Sequence, residues 1–71
     1  MNKTLRFTLK GDYIELIQLL KATGIAETGG SAKIMVENGL VKLNGIVENR
    51  KRAKLRKGDQ IATGNNLIVI E

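Results

Sequence analysis

The stretch "VKLNGIVE", residues 41–48, is the strongest local signal in the chain. Apolar residues flank Asn44-Gly45, the dipeptide that most readily supplies two positive φ angles in a type I′ hairpin turn. The pattern predicts short strands over 41–43 and 46–48. Lys42 alternates away from the apolar side of its strand, so we expect its side chain to be exposed.

Two short helices are predicted before this hairpin. The first starts at a capping box in which Asp12 accepts a hydrogen bond from the Glu15 amide and Glu15 reaches back. It runs from about residue 13 to 23 and ends at Gly24. Its positions are mostly aliphatic, so most of its surface must be covered by the rest of the domain.

The second helix is predicted over about residues 30–38. Thr28 is its expected N-cap, and Gly39 is its left-handed stop. A cap beside two glycines also leaves backbone amides open to a phosphate oxygen, so Thr28 is a candidate anion contact as well.

Further strands are predicted at both ends of the chain. "KTLRFTL", residues 3–9, places Leu5, Phe7 and Leu9 at period two, which is typical of a half-buried strand. Near the other end, "KGDQIAT", "GNN" and "LIVIE" indicate turn, strand, turn and strand. The expected fold class is therefore α+β, with two short helices packed on a small, mostly antiparallel sheet. Phe7 is assigned to the core, and Tyr13 is left unassigned.

The stretch "ENRKRAKLRKGD", residues 48–59, contains the charge excess of the chain. Twelve Lys and Arg face seven Asp and Glu, and six of the cations lie within residues 50–57, so the remainder has a net charge of −1. In an extended segment, side chains alternate between two faces. Arg50, Arg52, Lys54 and Arg56 would then share an outward face, and Lys51 and Lys57 would lie beside Ala53 and Leu55 on the other.

Such a run could simply be a solvated edge that discourages strand addition. However, like charges at this spacing repel, no run of acids lies nearby in the sequence, and a chain of 71 residues has little stability to spare. We therefore predict an anionic partner, and a nucleic acid is the commonest partner able to neutralise so dense a set.

Absent residue types narrow the possible functions. The chain has no Cys and no His, which argues against disulfides, zinc and the commonest general base. Its single Ser, Ser31, has no adjacent base, and no phosphate-cradling loop ends in Lys-Ser or Lys-Thr. We expect neither catalysis nor a cofactor nor a metal.

Length and hydropathy suggest a simple organisation. A chain of 71 residues is long enough for one small domain, so we expect residues 1–71 to form a single domain, and we expect it to be monomeric. We also expect it to be soluble and cytoplasmic, because no apolar run approaches a secretory signal or a membrane span. The basic stretch also lacks a Trp, Phe or Leu-rich face that could insert into a membrane, so no membrane partner is expected.

Several pieces of the sequence follow one another in an ordered arrangement: Gly24-Ile25-Ala26, Thr28, Ala32-Lys33, Gly39, Val41, Asn44-Gly45 and Gly58-Asp59-Gln60-Ile61. From about residue 13 to 62 this spacing resembles the S-four-like RNA-binding domain, named after the fourth protein of the small ribosomal subunit. The short chain is also similar to small stand-alone bacterial members of that family. The resemblance implies an αL RNA-binding motif in which the second helix and the adjoining loop and strands bind structured RNA, typically ribosomal RNA.

The chain departs from the family pattern at two places. Gly29 stands where Arg often follows the Ser, and Lys51-Arg52 stands where the family often has Pro-Ser. These departures shift the expected phosphate contacts from the second helix toward residues 50–57. The candidate RNA-binding residues are Thr28, Lys33, Lys42, Arg50, Lys51, Arg52, Lys54, Arg56 and Lys57.

A DNA-binding helix-turn-helix is the alternative, because two short helices joined by a Gly-containing link fit that outline. Its recognition helix would be residues 30–38, which offer one cation, Lys33, opposed by Glu37. That helix lacks the Arg, Gln or Asn series that reads base edges in a major groove.

Overall fold

The computed structural model describes residues 3–71. The elements of this part are β1 (Lys3–Phe7), β2 (Ile14–Glu15), α1 (Leu16–Ala22), α2 (Gly29–Glu37), β3 (Val41–Leu43), β4 (Ile46–Val47), β5 (Lys54–Leu55), β6 (Gln60–Thr63) and β7 (Asn66–Ile70). Five strands form one sheet in the order β1-β7-β6-β3-β4, and β2 pairs with β5 in a second, two-stranded sheet.

The larger sheet is mostly antiparallel, as predicted. β3 pairs antiparallel with both β4 and β6, and β6 pairs antiparallel with β7. β1 is the exception, because it lies parallel to β7 at one edge. The predicted α+β class, with two helices on a small sheet, is confirmed.

The hairpin of β3 and β4 has the predicted turn. Asn44 and Gly45 adopt φ angles of 51° and 88°, so both central residues of the two-residue turn have positive φ. The Asn44 side chain also forms two hydrogen bonds near the start of β6. Its oxygen accepts the Gln60 amide at 2.9 Å, and its nitrogen donates to the Asp59 carboxylate at 3.1 Å. The hairpin tip is therefore held against the start of β6.

The predicted start of the first helix is wrong. α1 begins at Leu16, and its N-cap is Glu15, which makes no side-chain capping hydrogen bond. Ile14 and Glu15 instead pair with the distant strand β5 as β2. The capping box does not form because this long-range pairing holds Ile14 and Glu15 in an extended conformation. A helix that starts at residue 13 would need both residues to be helical. Gly24, with a φ angle of 80°, follows the end of the helix.

The second helix is confirmed to within one residue at each end. The Thr28 hydroxyl accepts the Ser31 amide at 3.0 Å, which makes Thr28 the N-cap. At the other end Gly39 has a φ angle of 72°, and the Leu40 amide donates to the Met35 carbonyl at 3.1 Å. This is a Schellman motif, in which a glycine supplies the left-handed residue.

One hydrophobic core joins the helices to the larger sheet. Its largest fully buried side chains are Leu16, Leu19, Leu20, Val36, Val41, Leu55, Ile61, Ile68 and Ile70. Leu9 is buried just after β1, and Leu5 and Phe7 are half-buried and pack against the core. The buried residue Leu55 belongs to β5, so the basic stretch is itself fixed to this core.

Candidate nucleic-acid interface

The backbone of the basic stretch caps the start of α1. The first two helical amides, of Leu16 and Ile17, donate to the carbonyls of Ala53 and Lys51 at 2.9 and 3.2 Å. Helix-terminal amides have no partner within their own helix, so they provide strong anchoring points for another segment. The side chains of Ala53 and Leu55 are buried beside these bonds. The cations between them are thus attached to a fixed backbone.

Only part of the stretch is extended as predicted. β5 covers two residues, and the preceding residues form a turn closed by a bond of 3.2 Å from the Ala53 amide to the Arg50 carbonyl. After β5 the chain turns again, with the Asp59 carboxylate accepting the Arg56 amide at 2.7 Å. Because of this second turn Lys57 is exposed. Its expected place beside Leu55 on the inner face is wrong.

The four cations predicted to face outward nevertheless lie together. Arg50, Arg52, Lys54 and Arg56, together with Ala53, line one open depression with a volume of about 500 Å³. All four side chains are exposed. Lys51, in contrast, is half-buried and does not line the depression.

Half of the cations in this stretch pair with carboxylates, although no run of acids lies nearby in the sequence. Arg50 contacts Glu48 at 3.1 Å, and Lys51 contacts Glu37 at 3.1 Å. Arg52 contacts Glu15 at 3.4 Å. Two of these acids are distant in the sequence and are brought near by folding, whereas Glu48 is only two residues from its partner and could have been noticed.

The pair of Glu48 and Arg50 is the best formed of the three. Arg50 donates to Glu48 through its backbone amide, Nε and one terminal nitrogen, all at 3.0 to 3.1 Å. These hydrogen bonds lower the pKa of Glu48 below its ordinary value of 4.5. The Arg50 side chain is still 78% exposed, so one side of its guanidinium remains open to another anion.

Lys54 and Arg56 pair with no carboxylate of residues 3–71. The Lys54 ammonium lies 4.9 Å from the centre of the Tyr13 ring, and Arg56 donates to the Asp12 carbonyl at 3.3 Å. Neither contact neutralises a charge. These two cations are therefore the part of the depression most available to an external anion.

The remaining candidates lie at different distances from the depression. Lys33 is one helical turn before Glu37, on the same side of α2, and Glu37 contacts Lys51. Lys42 lies on β3 between the inward-facing Val41 and Leu43, so alternation directs it to the sheet face opposite the core. Lys33 thus lies on a helix that contacts the basic stretch through Glu37, whereas Lys42 lies on a strand that, among residues 3–71, makes no ion pair with that stretch.

Thr28 acts as the N-cap of α2. Its oxygen accepts the Ser31 amide, and its hydroxyl donates to the Ser31 hydroxyl at 3.2 Å. Contact between Thr28 and RNA stays a prediction, as do the contacts predicted for Lys33 and for the basic stretch. For Lys42 the exposed position on the other sheet face changes our expectation, and RNA bound in the depression should not contact it.

A family model described as the S4 domain matches residues 7–71. The chain belongs to the S4 domain family. It is 38% identical over 61 residues to the "Putative RNA-binding protein YbcJ" of Escherichia coli (strain K12), a match that covers 86% of this chain and 87% of YbcJ. The "Uncharacterized protein YbcJ" of Shigella flexneri matches with the same identity and coverage.

A solved structure agrees with this assignment. The solution structure of YbcJ from E. coli, described as revealing an αL motif involved in RNA binding, matches with a TM-score of 0.70 and 38% identity. The match covers 97% of this chain and 91% of that chain. The predicted αL motif, and the predicted similarity to small bacterial members of the S4 family, are confirmed.

One cation near the αL motif was not anticipated from the sequence. A β-carbon added to Gly29, the first residue of α2, would lie 3.8 Å from Cδ of Lys21. Lys21 belongs to α1, so the packing of the two helices brings it beside the position where S4 domains often have Arg. No local pattern predicts this, because Lys21 looks like an ordinary polar residue of an amphipathic helix.

Two other features, a metal site and a membrane-spanning helix, are absent from residues 3–71. No group of three or more Asp and Glu side chains in that range is arranged to hold a metal ion. No helix within the same range is long and apolar enough to cross a membrane.

Proposed function

We propose that this S4 domain is a non-catalytic module that binds structured RNA, and specifically ribosomal RNA, during ribosome assembly or translation. The observation that carries the proposal is the depression lined by Arg50, Arg52, Lys54 and Arg56 on a fold shared with YbcJ. We further propose that the protein acts in the cytoplasm as a monomer.

The depression suits phosphate groups better than a small ligand. It is open, and the residues around it are four long cationic side chains with only Ala53 between them. Arg and Lys side chains in such a row bind successive phosphates, which position a nucleic acid without reading its sequence. A fixed backbone beneath them favours one shape of phosphate backbone over another, since the row cannot rearrange freely.

The exposed side chains of α2 favour structured RNA over duplex DNA as the ligand. They include Lys33, Ile34 and Glu37, which offer one cation, one aliphatic group and one anion. A helix that reads a DNA major groove needs several donors and acceptors for base edges. Double-stranded RNA, in contrast, is recognised mainly by its shape and by contacts to phosphates and 2′-hydroxyls.

A competition experiment tests the choice of nucleic acid. A labelled RNA hairpin with a junction is bound at fixed salt concentration and then competed with unlabelled RNA or with duplex DNA of equal charge. We expect the RNA to compete better. Equal competition by DNA would instead support the helix-turn-helix alternative.

A second experiment identifies the RNA inside cells. Crosslinking, followed by sequencing of the attached RNA, should recover ribosomal RNA, and the protein should migrate with ribosomal particles in a sucrose gradient. A variant in which Lys54 and Arg56 are both replaced by Ala should lose both signals, whereas Lys42→Ala should retain them. Recovery of other RNA classes alone would contradict the ribosomal part of the proposal.

A further inference from the structure

A second depression, mostly apolar, borders the basic one. Its volume is about 390 Å³, and it is lined by Phe7, Thr8, Leu9, Lys10, Tyr13 and Ile14. The only Phe and the only Tyr of the chain, which are separated in the sequence, are thus brought to one pocket. Tyr13 is 43% exposed there.

Two contacts connect this pocket to cations of the basic depression. The Lys54 ammonium lies over the Tyr13 ring, 4.9 Å from its centre. Arg56 donates to the carbonyl of Asp12, the residue before Tyr13, at 3.3 Å. A nucleotide whose phosphate lies against Lys54 or Arg56 would therefore have its base beside the aromatic pocket.

We propose that this pocket holds one unpaired base of the bound RNA, stacked on the face of the Tyr13 ring that the Lys54 ammonium does not cover. The ligand is identified by the combination of charge and ring, since a nucleotide joins a flat aromatic group to a phosphate, and the pocket joins an aromatic wall to cations. Exposed bases in RNA loops and bulges are commonly recognised by stacking on aromatic side chains. Lys10, also exposed in the lining, supplies a further cation beside the pocket.

This inference rests on the proposed RNA-binding function and adds a requirement to it. Phosphate contacts alone would accept any RNA of suitable shape. A base pocket next to them requires that the shape include an unpaired nucleotide at a set distance from the phosphates, which turns a general affinity for RNA into a preference for bulged or looped RNA.

The test compares RNA hairpins that contain one bulged nucleotide with hairpins in which the same nucleotide is abasic. The backbone charge is identical, so any difference in affinity reports the base. Placing the bulge at several positions along the stem covers the possible distances. For the unmodified protein we expect the bulged base to improve affinity by about 5- to 150-fold, the range that base stacking on an aromatic ring provides.

Two variants assign that difference to the ring. Tyr13→Phe keeps the aromatic face and should keep the preference for the bulged base. Tyr13→Leu keeps an apolar side chain without a ring, so it should bind both hairpins equally, with the affinity that the unmodified protein has for the abasic one. The proposal would be overturned if Tyr13→Leu and the unmodified protein showed the same preference for the bulged hairpin over the abasic one.

A spectroscopic measurement provides a test that needs no variant. The chain has one tyrosine, so the ring signals of Tyr13 in an NMR spectrum are unambiguous. Stacking of a base should shift them upfield when the bulged hairpin is added and not when the abasic hairpin is added. Shifts that do not differ between the two hairpins, with RNA bound in both cases, would overturn the base pocket and leave the proposed function standing. Failure to bind any RNA would overturn both.

Discussion

At the scale of single residues, the basic stretch is partly neutralised by the protein itself. Glu48, Glu37 and Glu15 pair with Arg50, Lys51 and Arg52 at 3.1 to 3.4 Å. A phosphate that binds these cations must compete with a carboxylate that is already in place. An isolated phosphate is then at a disadvantage. An RNA that presents several phosphates together can displace the carboxylates or share the cations with them.

Glu48→Gln should strengthen RNA binding. The substitution removes the negative charge that holds Arg50 and leaves a side chain of nearly the same shape. Exposed ion pairs are weak because water and salt screen them, so we expect a modest gain in affinity of up to about fivefold, measured by titration of one structured RNA. Glu71→Gln, which removes the same charge from a pair with Arg6, is the control and should give a smaller gain. Equal gains would mean that only the net charge matters.

The same residue predicts a dependence of stability on pH. Hydrogen bonds from Arg50 lower the pKa of Glu48 in the folded protein below 4.5. A carboxyl group with a lowered pKa stabilises the fold above its unfolded pKa, and this contribution is lost as the pH falls through the folded pKa. When the pH is lowered from 7 to below the folded pKa of Glu48, the melting temperature of the unmodified protein should therefore fall further than that of Glu48→Gln. Parallel curves would show that the pair does not stabilise the fold.

At the scale of elements, β5 and the turns around it support both the helix and the charged surface. The carbonyls of Lys51 and Ala53 satisfy the first amides of α1, and Leu55 enters the core. Any change in the path of this segment would uncap the helix and expose an apolar side chain. The positions of the cations are thus tied to the stability of the domain, which makes their arrangement reproducible from one molecule to the next.

The hairpin provides a prediction about stability. Gly45 has a φ angle of 88°, and a β-carbon placed on it would meet nothing within 4 Å, so a substitution there acts through backbone strain alone. A left-handed conformation costs an ordinary L-residue about 1 to 2 kcal/mol, and a β-branched residue more. Gly45→Val should therefore lower the melting temperature by at least about 4 °C, measured by circular dichroism.

Two controls separate that effect from a loss of charge. Gly45→Asn should be tolerated better, because Asn adopts positive φ at lower cost. Arg52→Ala should weaken RNA binding with little change in melting temperature, since its side chain is 81% exposed. An unchanged melting temperature for Gly45→Val would mean that the turn can form with another geometry.

The elements that could be predicted from the sequence are those set by local chemistry. Asn44-Gly45 and the Thr28 cap depend on residues adjacent to them, and both are found as expected. The features that could not be predicted depend on contacts between distant segments. Glu15 was assigned to a capping box, but it pairs with β5 and with Arg52, 37 residues further along the chain.

The same distinction applies to the candidate site. The four cations predicted to face outward do line one depression, and the buried side chains of Ala53 and Leu55 direct their neighbours outward. Strand alternation applies only to β5, however, because a turn precedes it. It failed at Lys57, where a turn interrupts the strand, and it could not show that Phe7 and Tyr13 share a pocket. Sequence spacing between those two aromatics contains no information about the packing that brings them together.

At the scale of the whole molecule, the sheet separates two surfaces of different character. The depression of four cations is fixed to the core side, next to the start of α1, whereas Lys42 extends from the opposite face of the sheet. The local charge excess found in the sequence therefore becomes a positive field on one side of the domain. Such a field orients the protein as it approaches a polyanion and confines the RNA to one face.

Salt dependence of binding tests that asymmetry. Each phosphate contact releases counterions from the RNA, so log affinity decreases with log salt concentration, and this negative slope should become shallower by about 0.7 to 0.9 when a contacting cation is removed. We expect this change for Arg52→Ala, Lys54→Ala and Arg56→Ala, and a smaller change for Lys51→Ala, because Lys51 is half-buried and bound to Glu37. Lys42→Ala removes the same charge from the other face and should leave the slope unchanged. The slopes are measured by titrating one RNA at several salt concentrations, after circular dichroism shows that each variant is folded. If the slope became shallower by the same amount for Lys42→Ala as for the other variants, RNA would be responding to the net charge of the domain. The basic depression would then not be its binding site.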